Sequence, residues 1–363
     1  MMETLKVLGA PGRYIQGPGA LSCLPEVIGE LASSAYVLTD AIVAELLKAD
    51  LAAGFEAAGL AAHFGLFPGE CTRAEIERQT ELARGSGSGV VVGVGGGKTI
   101  DTAKGISLFL GLPMVVVPTV ASNDAPTSRL IVVYDDQHRT SEVLKLPRNP
   151  DVVVADTKVI ASAPPRFLIA GIGDAVAKKF EAGQCALTGA RNFFGGLPTK
   201  TALLLCESCY TTIREFGPAS ITAVRKGEVD ESVENIVEAT VLLSGLGFES
   251  GGLALAHSLN RGLTAQPETQ AALHGELVAW GLLVQLLAEG RDAAFVDDML
   301  GFYREIGLPV RLTDLGLSEP ENAVIDAIAQ ITFDQAPYVA NMERKLGAAD
   351  IAENIRKLEA LSA

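Results

Sequence analysis

Val90-Val91-Val92-Gly93-Val94-Gly95-Gly96-Gly97-Lys98-Thr99-Ile100-Asp101 decides the fold class of the first half of this chain. The valine run is β-branched and apolar throughout, as a strand buried on both faces must be. It passes into glycines and then into a helical pattern, Thr99–Leu110. Glycines at such a turn let backbone N–H groups and a helix N-terminus approach a phosphate, because no Cβ intervenes. Two familiar phosphate motifs nearly match and both fail. Walker A needs a glycine where Val92 stands, and the dinucleotide fingerprint begun at Gly93 meets Lys98 in place of its third glycine. Four glycines in five positions, followed by lysine, still favour a phosphate ligand over a plain tight turn.

Outward from this loop, short apolar runs alternate with helical patterns. Strands are expected at Ala35–Thr39, Val90–Val94, Met114–Val117, Ile131–Tyr134 and Val152–Ala155, and helices at Val43–Ala58, Arg73–Arg84 and Thr99–Leu110. That alternation predicts a parallel sheet with both faces covered. Beyond Ala163-Pro164-Pro165 the pattern turns helical, at Asp174–Ala186, Thr199–Phe216, Glu228–Gly245 and His274–Glu289. The expected organisation is an α/β nucleotide-binding domain over residues 1–164 and an all-helical domain over 165–363.

The chain has 363 residues, 48% apolar and 20% charged, enough for two cored domains. With 29 basic against 44 acidic residues, nucleic acid and anionic membrane are poor partners. Five cysteines in such a length make no disulfide framework and fit a reducing, cytoplasmic setting. Cys206 and Cys209 read as helix packing, since no second pair accompanies them. The uncharged stretch from Gly105 to Asn123 is divided by Pro113 and Pro118. It reads as a helix end, a turn and a buried strand rather than a membrane span.

Asp40 closes the strand Tyr36–Thr39 and can hold the ribose hydroxyls of an adenosine. No Lys or Arg lies between Asp40 and Glu45 to accept a 2′-phosphate, which favours NAD over NADP. Of the four histidines, His63 and His138 lie in polar surroundings. His257 and His274 are 17 residues apart, about 25 Å along one helix. Gly262 and Pro267 break any such helix, so a hairpin can bring the imidazoles together. A catalytic divalent metal needs a third ligand, and the best carboxylate is Asp174, expected on the glycine-led first turn of a helix. Spacing alone leaves open two unrelated core histidines.

Taken together, these residues resemble the glycerol dehydrogenase branch of the iron-containing (group III) alcohol dehydrogenases. The resemblance runs through Arg13-Tyr14-Ile15-Gln16-Gly17-Pro18-Gly19-Ala20-Leu21, the Gly95–Asp101 loop and Pro118-Thr119-Val120-Ala121-Ser122-Asn123-Asp124-Ala125-Pro126-Thr127-Ser128. It continues through Leu146-Pro147-Arg148-Asn149-Pro150-Asp151, Gly173-Asp174-Ala175 and Phe248-Glu249-Ser250-Gly251-Gly252-Leu253-Ala254 to His274-Gly275-Glu276. It implies metal ligands Asp174, His257 and His274, with zinc the usual metal and Fe2+ the alternative. It implies NAD contacts from Asp40, Gly97, Lys98, Asp101, Thr119, Ser122, Ser128, Leu130 and Tyr134. Asp124 would contact a small polyol substrate, and the assembly would be a homo-oligomer, an octamer in some members.

Two positions depart from the family pattern. Lys178, four residues after Asp174, stands where iron-dependent members carry a fourth ligand, a histidine, and Asn260-Arg261 replaces a His-Asn pair. Facing the substrate, Lys178 and Arg261 would favour a 2-oxo acid or a phosphate ester; otherwise they pair with acids or meet solvent. The implied activity is reversible oxidation of glycerol to dihydroxyacetone. Dehydroquinate synthase shares the implied architecture, but the Asn123–Ser128 run argues for the dehydrogenase. A catalytically silent nucleotide-binding protein would lack part of the Asp174, His257, His274 set, which is complete here.

Overall fold

The computed structural model describes residues 4–135, 139–318 and 320–362, so His138 lies outside the described residues. Two compact units emerge. One comprises Ala10–Pro164 with Gly227–Val229; the other comprises Pro165–Lys226, Asp230 onward and the N-terminal residues up to Gly9.

The first unit is built on a six-stranded parallel sheet. Its strands are β1 (Arg13–Gly17), β2 (Ser34–Asp40), β3 (Ala61–Phe67), β4 (Val90–Gly95), β5 (Met114–Pro118) and β8 (Val152–Asp156). Strands β6 (Leu130–Tyr134) and β7 (Thr140–Lys145) form a separate antiparallel hairpin. The sheet order is β1-β8-β5-β4-β2-β3. Central strands β4, β5 and β8 are buried along their whole length, as their valine runs predict.

One strand expectation needs correction. Ile131–Tyr134 is a strand, but it belongs to the hairpin and not to the parallel sheet. β1 and β3 escaped the sequence reading because they are the sheet's edges, half exposed and without a continuous apolar run. The uncharged Gly105–Asn123 stretch resolves as expected. The helix Gly97–Leu110 ends at Gly111 in the left-handed conformation (φ 67°), and β5 follows.

The second unit is helical. Its longer helices are Pro165–Val176, Lys178–Thr188, Lys200–Arg225, Leu255–Thr264, His274–Ala288, Ala293–Ile306, Asn322–Gln335 and Ala348–Ser362. Glu231–Gly251 forms one helical run with a π-helical middle, Glu238–Leu243. The helix His274–Ala288 runs through the core, with Trp280, Leu282, Leu283 and Leu286 fully buried. Apolar residues on every side leave it no polar face, which is the signature of a helix surrounded by protein. No single described helix is long and apolar enough to cross a membrane.

Asp174 sits differently from expectation. It occupies the last turn of Pro165–Val176, and a second helix starts at Lys178. Glycine brings this helix close to the one that begins at His274. A Cβ on Gly275 would lie 1.8 Å from the Ala170 carbonyl oxygen, and one on Gly173 would lie 2.6 Å from that of Gly275. Only hydrogen fits at this crossing, and the crossing sets Asp174 beside His274.

Candidate functional site

In the α/β unit, β2 and β3 lie to one side of β4 and β5 lies to the other. Chain order therefore reverses between β2 and β4, the kind of place where open α/β sheets bind ligands, outside the carboxyl ends of the strands. Asp40 ends β2 and the glycine loop ends β4, so both stand at this switch point. The Gly96 N-cap offers no side-chain hydrogen bond to the first helical turn, an arrangement that suits an anion at the helix start. A Cβ on Gly97 would lie 2.9 Å from Asn123 Nδ2, so the loop after β5 packs directly against the glycine turn.

The remaining nucleotide-side candidates gather around the same edge. Lys98 Nζ pairs with Glu70 Oε2 at 2.8 Å and lies 5.1 Å from the centre of the Tyr134 ring, joining the helix start to the end of β6. Thr119 donates its N–H to the Gly95 carbonyl at 3.1 Å. Ser128 Oγ accepts from the Leu130 N–H at 3.3 Å. Ser122 is partly buried in the loop, and Asp124 is buried at the start of the short helix Ala125–Thr127. Asp40 carries an extra duty, since its Oδ1 accepts from the Val43 N–H at 2.9 Å and caps the helix Ala41–Ala57.

Asp101 is the exception. Its Oδ1 pairs with the buried Lys104 ammonium at 3.1 Å, and its Oδ2 accepts from the Val132 N–H at 2.9 Å. In this arrangement the carboxylate fastens the hairpin strand to the helix that carries the glycine loop.

In the helical unit, the two histidines lie on consecutive helices of a hairpin, His257 in Leu255–Thr264 and His274 at the start of His274–Ala288. Their ring centres are 5.5 Å apart. Asp174 joins them, and one ligand atom from each residue lies within 4.8 Å of the others. His257 Nε2 is 3.2 Å and His274 Nε2 is 3.8 Å from Asp174 Oδ1. Ligands bonded tetrahedrally to zinc at about 2.0–2.2 Å stand about 3.3–3.6 Å from one another, so the spacing suits a divalent ion. A second observation agrees: Asp174 Oδ2 is buried with no hydrogen-bond partner. An orphaned carboxylate oxygen is costly unless a cation satisfies it.

Two further residues orient the imidazoles. Glu181 Oε2 meets His257 Nδ1 at 2.6 Å, which fixes the proton on Nδ1 and leaves the Nε2 lone pair inward. Asn260 faces His274 Nδ1 at 3.2 Å, and Asn260 Oδ1 is buried and unpartnered. Turning this amide over would let Oδ1 accept from an Nδ1–H, satisfying the orphan and freeing His274 Nε2 for a ligand role. Glu181 was missed in the sequence. Its signal was the i, i+4, i+7 series Asp174, Lys178, Glu181, three ionisable groups on one face of an apolar helical stretch.

The electrostatics follow from the cluster. Burial alone would raise the Asp174 carboxyl, but Lys178 and the two imidazoles hold it well below the usual carboxylate range. Burial likewise opposes charge on Glu181, and His257 outweighs it, keeping that carboxyl low. His257 is raised because Glu181, with help from Asp174, overcomes burial and the Lys178 cation. His274 is pushed down to about 4 by burial of its inner edge, against the pull of Asp174 and with His257 and Lys178 adding repulsion. It is therefore a neutral donor at pH 7, as metal ligation requires.

Comparison with known proteins gives this arrangement a family. Residues 11–157 match the family described as iron-containing alcohol dehydrogenase. The glycerol dehydrogenase of Escherichia coli O6:H1 is 40% identical over 337 residues, 93% of this chain and 92% of that protein. The chain belongs to the iron-containing alcohol dehydrogenase family. The glycolaldehyde reductase of Halobacterium salinarum is 41% identical over 92% of this chain and 91% of its own. Among solved structures, a probable glycerol dehydrogenase from Sinorhizobium meliloti superimposes with a TM-score of 0.93 at 37% identity, covering 98% of this chain and 99% of that one. Iron-containing alcohol dehydrogenase architecture thus extends through the helical half, beyond the residues of the family match.

Proposed function

We propose that the protein is an NAD-dependent, metal-dependent glycerol dehydrogenase that interconverts glycerol and dihydroxyacetone. The convergence of Asp174, His257 and His274 in a chain 40% identical to a glycerol dehydrogenase carries this reading. When bound, a zinc ion (or Fe2+) supplies a Lewis acid for the substrate oxygen, and NAD supplies the hydride acceptor.

The chain's own residues divide the remaining work. Asp174, His257 and His274 give three ligands and leave room for two neighbouring hydroxyls of a diol. Glu181 keeps the proton on His257 Nδ1, and Asn260 does the same for His274. Asp40 takes the ribose hydroxyls, while the Gly97 N–H and Lys98 take the pyrophosphate. Thr119, Ser122, Ser128, Leu130 and Tyr134 line the cofactor. Asp124 holds a further hydroxyl of the polyol by a charge-assisted hydrogen bond. A homo-oligomer in the cytoplasm belongs to the same reading.

The anionic-substrate alternative rests on Arg261. That residue lies one helical turn after His257 and makes no ion pair among the described residues. Lys178 does not serve it, being fully buried and paired with Asp174. The test is kcat/KM of zinc-loaded protein with glycerol, and in reduction with glycolaldehyde, 2-oxobutyrate and dihydroxyacetone phosphate, using NAD(H) and NADP(H). A 100-fold preference for either anion, about 2.7 kcal/mol of transition-state binding, would overturn the glycerol reading.

A further inference from the structure

Lys178 is fully buried, and its ammonium lies 2.6 Å from Asp174 Oδ1 and 3.0 Å from His257 Nε2. Its stem packs beside Gly247, and the charge stands 5.5 Å from the centre of the Phe248 ring. A neutral imidazole has one lone pair. Glu181 holds the proton on Nδ1, so the lone pair of His257 is at Nε2, and Lys178 is the donor that faces it. A metal ligated by His257 needs that same lone pair.

We infer that Lys178 is a built-in counter-cation that occupies the ligand cluster in the metal-free protein and must be displaced when the divalent metal binds. The inference rests on the metal reading above and goes beyond it, because it concerns a residue outside the ligand set. Two consequences follow. The metal-free protein keeps its buried Asp174 neutralised, so the ligands stay in place without an ion. The metal, in turn, binds against a resident cation and more weakly than the same three ligands would bind it alone.

The experiment compares wild type with Lys178→Met, which keeps an apolar stem and loses the charge, and with Lys178→Thr, which reaches neither Asp174 nor His257. Full-length protein is stripped with a chelator, then titrated with Zn2+ against a chromophoric competitor and with Co2+ by visible absorption. Both variants should bind Zn2+ at least tenfold more tightly than wild type, with an unchanged Co2+ spectrum. Their metal-free forms should melt at lower temperature. Affinities within twofold of wild type would overturn the displacement alone. Weaker binding with an altered Co2+ spectrum would make Lys178 a ligand and overturn it too. Absence of binding in wild type and variants alike would remove the metal site and this inference with it.

Discussion

Glu181 Oε2 lies 2.6 Å from His257 Nδ1, while Glu181 Oε1 accepts the backbone N–H groups of Ala254 (2.8 Å) and His257 (3.0 Å). One carboxylate therefore closes the start of the helix Leu255–Thr264 and sets the tautomer of its histidine. Glu181→Ala should weaken Zn2+ binding by about 10–100-fold. It should also destabilise the fold by about 1–3 kcal/mol for each donor left buried and unpaired. Glu181→Gln keeps an acceptor and should lose less than tenfold. Zinc titration and urea melts check both, and wild-type affinity in Glu181→Ala would refute the orienting role.

Gly275→Ala should be among the most damaging small changes in the helical unit. The added methyl meets the Ala170 carbonyl at 1.8 Å, a backbone atom that no rotamer change can move. The helices must part, at about 3 kcal/mol, and Asp174 should leave His274. Gly183→Ala is the control: nothing lies within 4 Å of its Cβ, and it should be neutral or stabilise by about 0.5–1 kcal/mol. Thermal melts and zinc affinity should separate the two cleanly.

Asp40 combines two roles that substitutions can separate. Asp40→Asn keeps an oxygen for the Val43 N–H and removes the charge, so stability should hold while the NAD-over-NADP preference falls by about tenfold or more. Asp40→Ala should lose the same preference and also about 1 kcal/mol of helix-cap stability. Cofactor kcat/KM ratios and melting temperatures test this. An unchanged cofactor preference in both variants would show that another residue is the selector.

The cysteines should behave as packing residues. Cys71, Cys185 and Cys206 are buried, with thiols pushed up to about 12 by burial, and Cys209 is fully buried, its Sγ 3.3 Å from the Ala239 carbonyl. At pH 8 a chromogenic disulfide reagent should label Cys23 in the native protein and the other four only after unfolding. The sign for stability follows. Unfolded thiols ionise near pH 8.5 while the folded ones stay protonated, so their stabilising contribution is present below that pH. It falls as pH rises from about 8.5 towards 12, and melting temperature should fall over that window. Rapid native labelling of Cys206 or Cys209 would revive a redox role for the pair.

The sequence by itself determined the class of each half. Runs such as Val90–Val94 and Met114–Val117 read as buried parallel strands, and Gly95-Gly96-Gly97 marks the place where strand gives way to helix. It also named Asp174, His257 and His274, because histidine is scarce here and a family pattern surrounds each. Edge strands β1 and β3 were illegible, since an edge shares its burial with solvent and shows no continuous apolar run. Only the tertiary structure decided which charged groups answer one another. That Asp101 answers Lys104 and the Val132 N–H could not be read from spacing. The sequence left Lys178 open between a substrate cation, a solvent-facing one and a partner for an acid, and the fold decides it by burying the ammonium against Asp174 and His257. Residue type and spacing set what a side chain can do. Packing sets which lone pair or charge it faces, and a low-dielectric interior makes that choice energetically decisive.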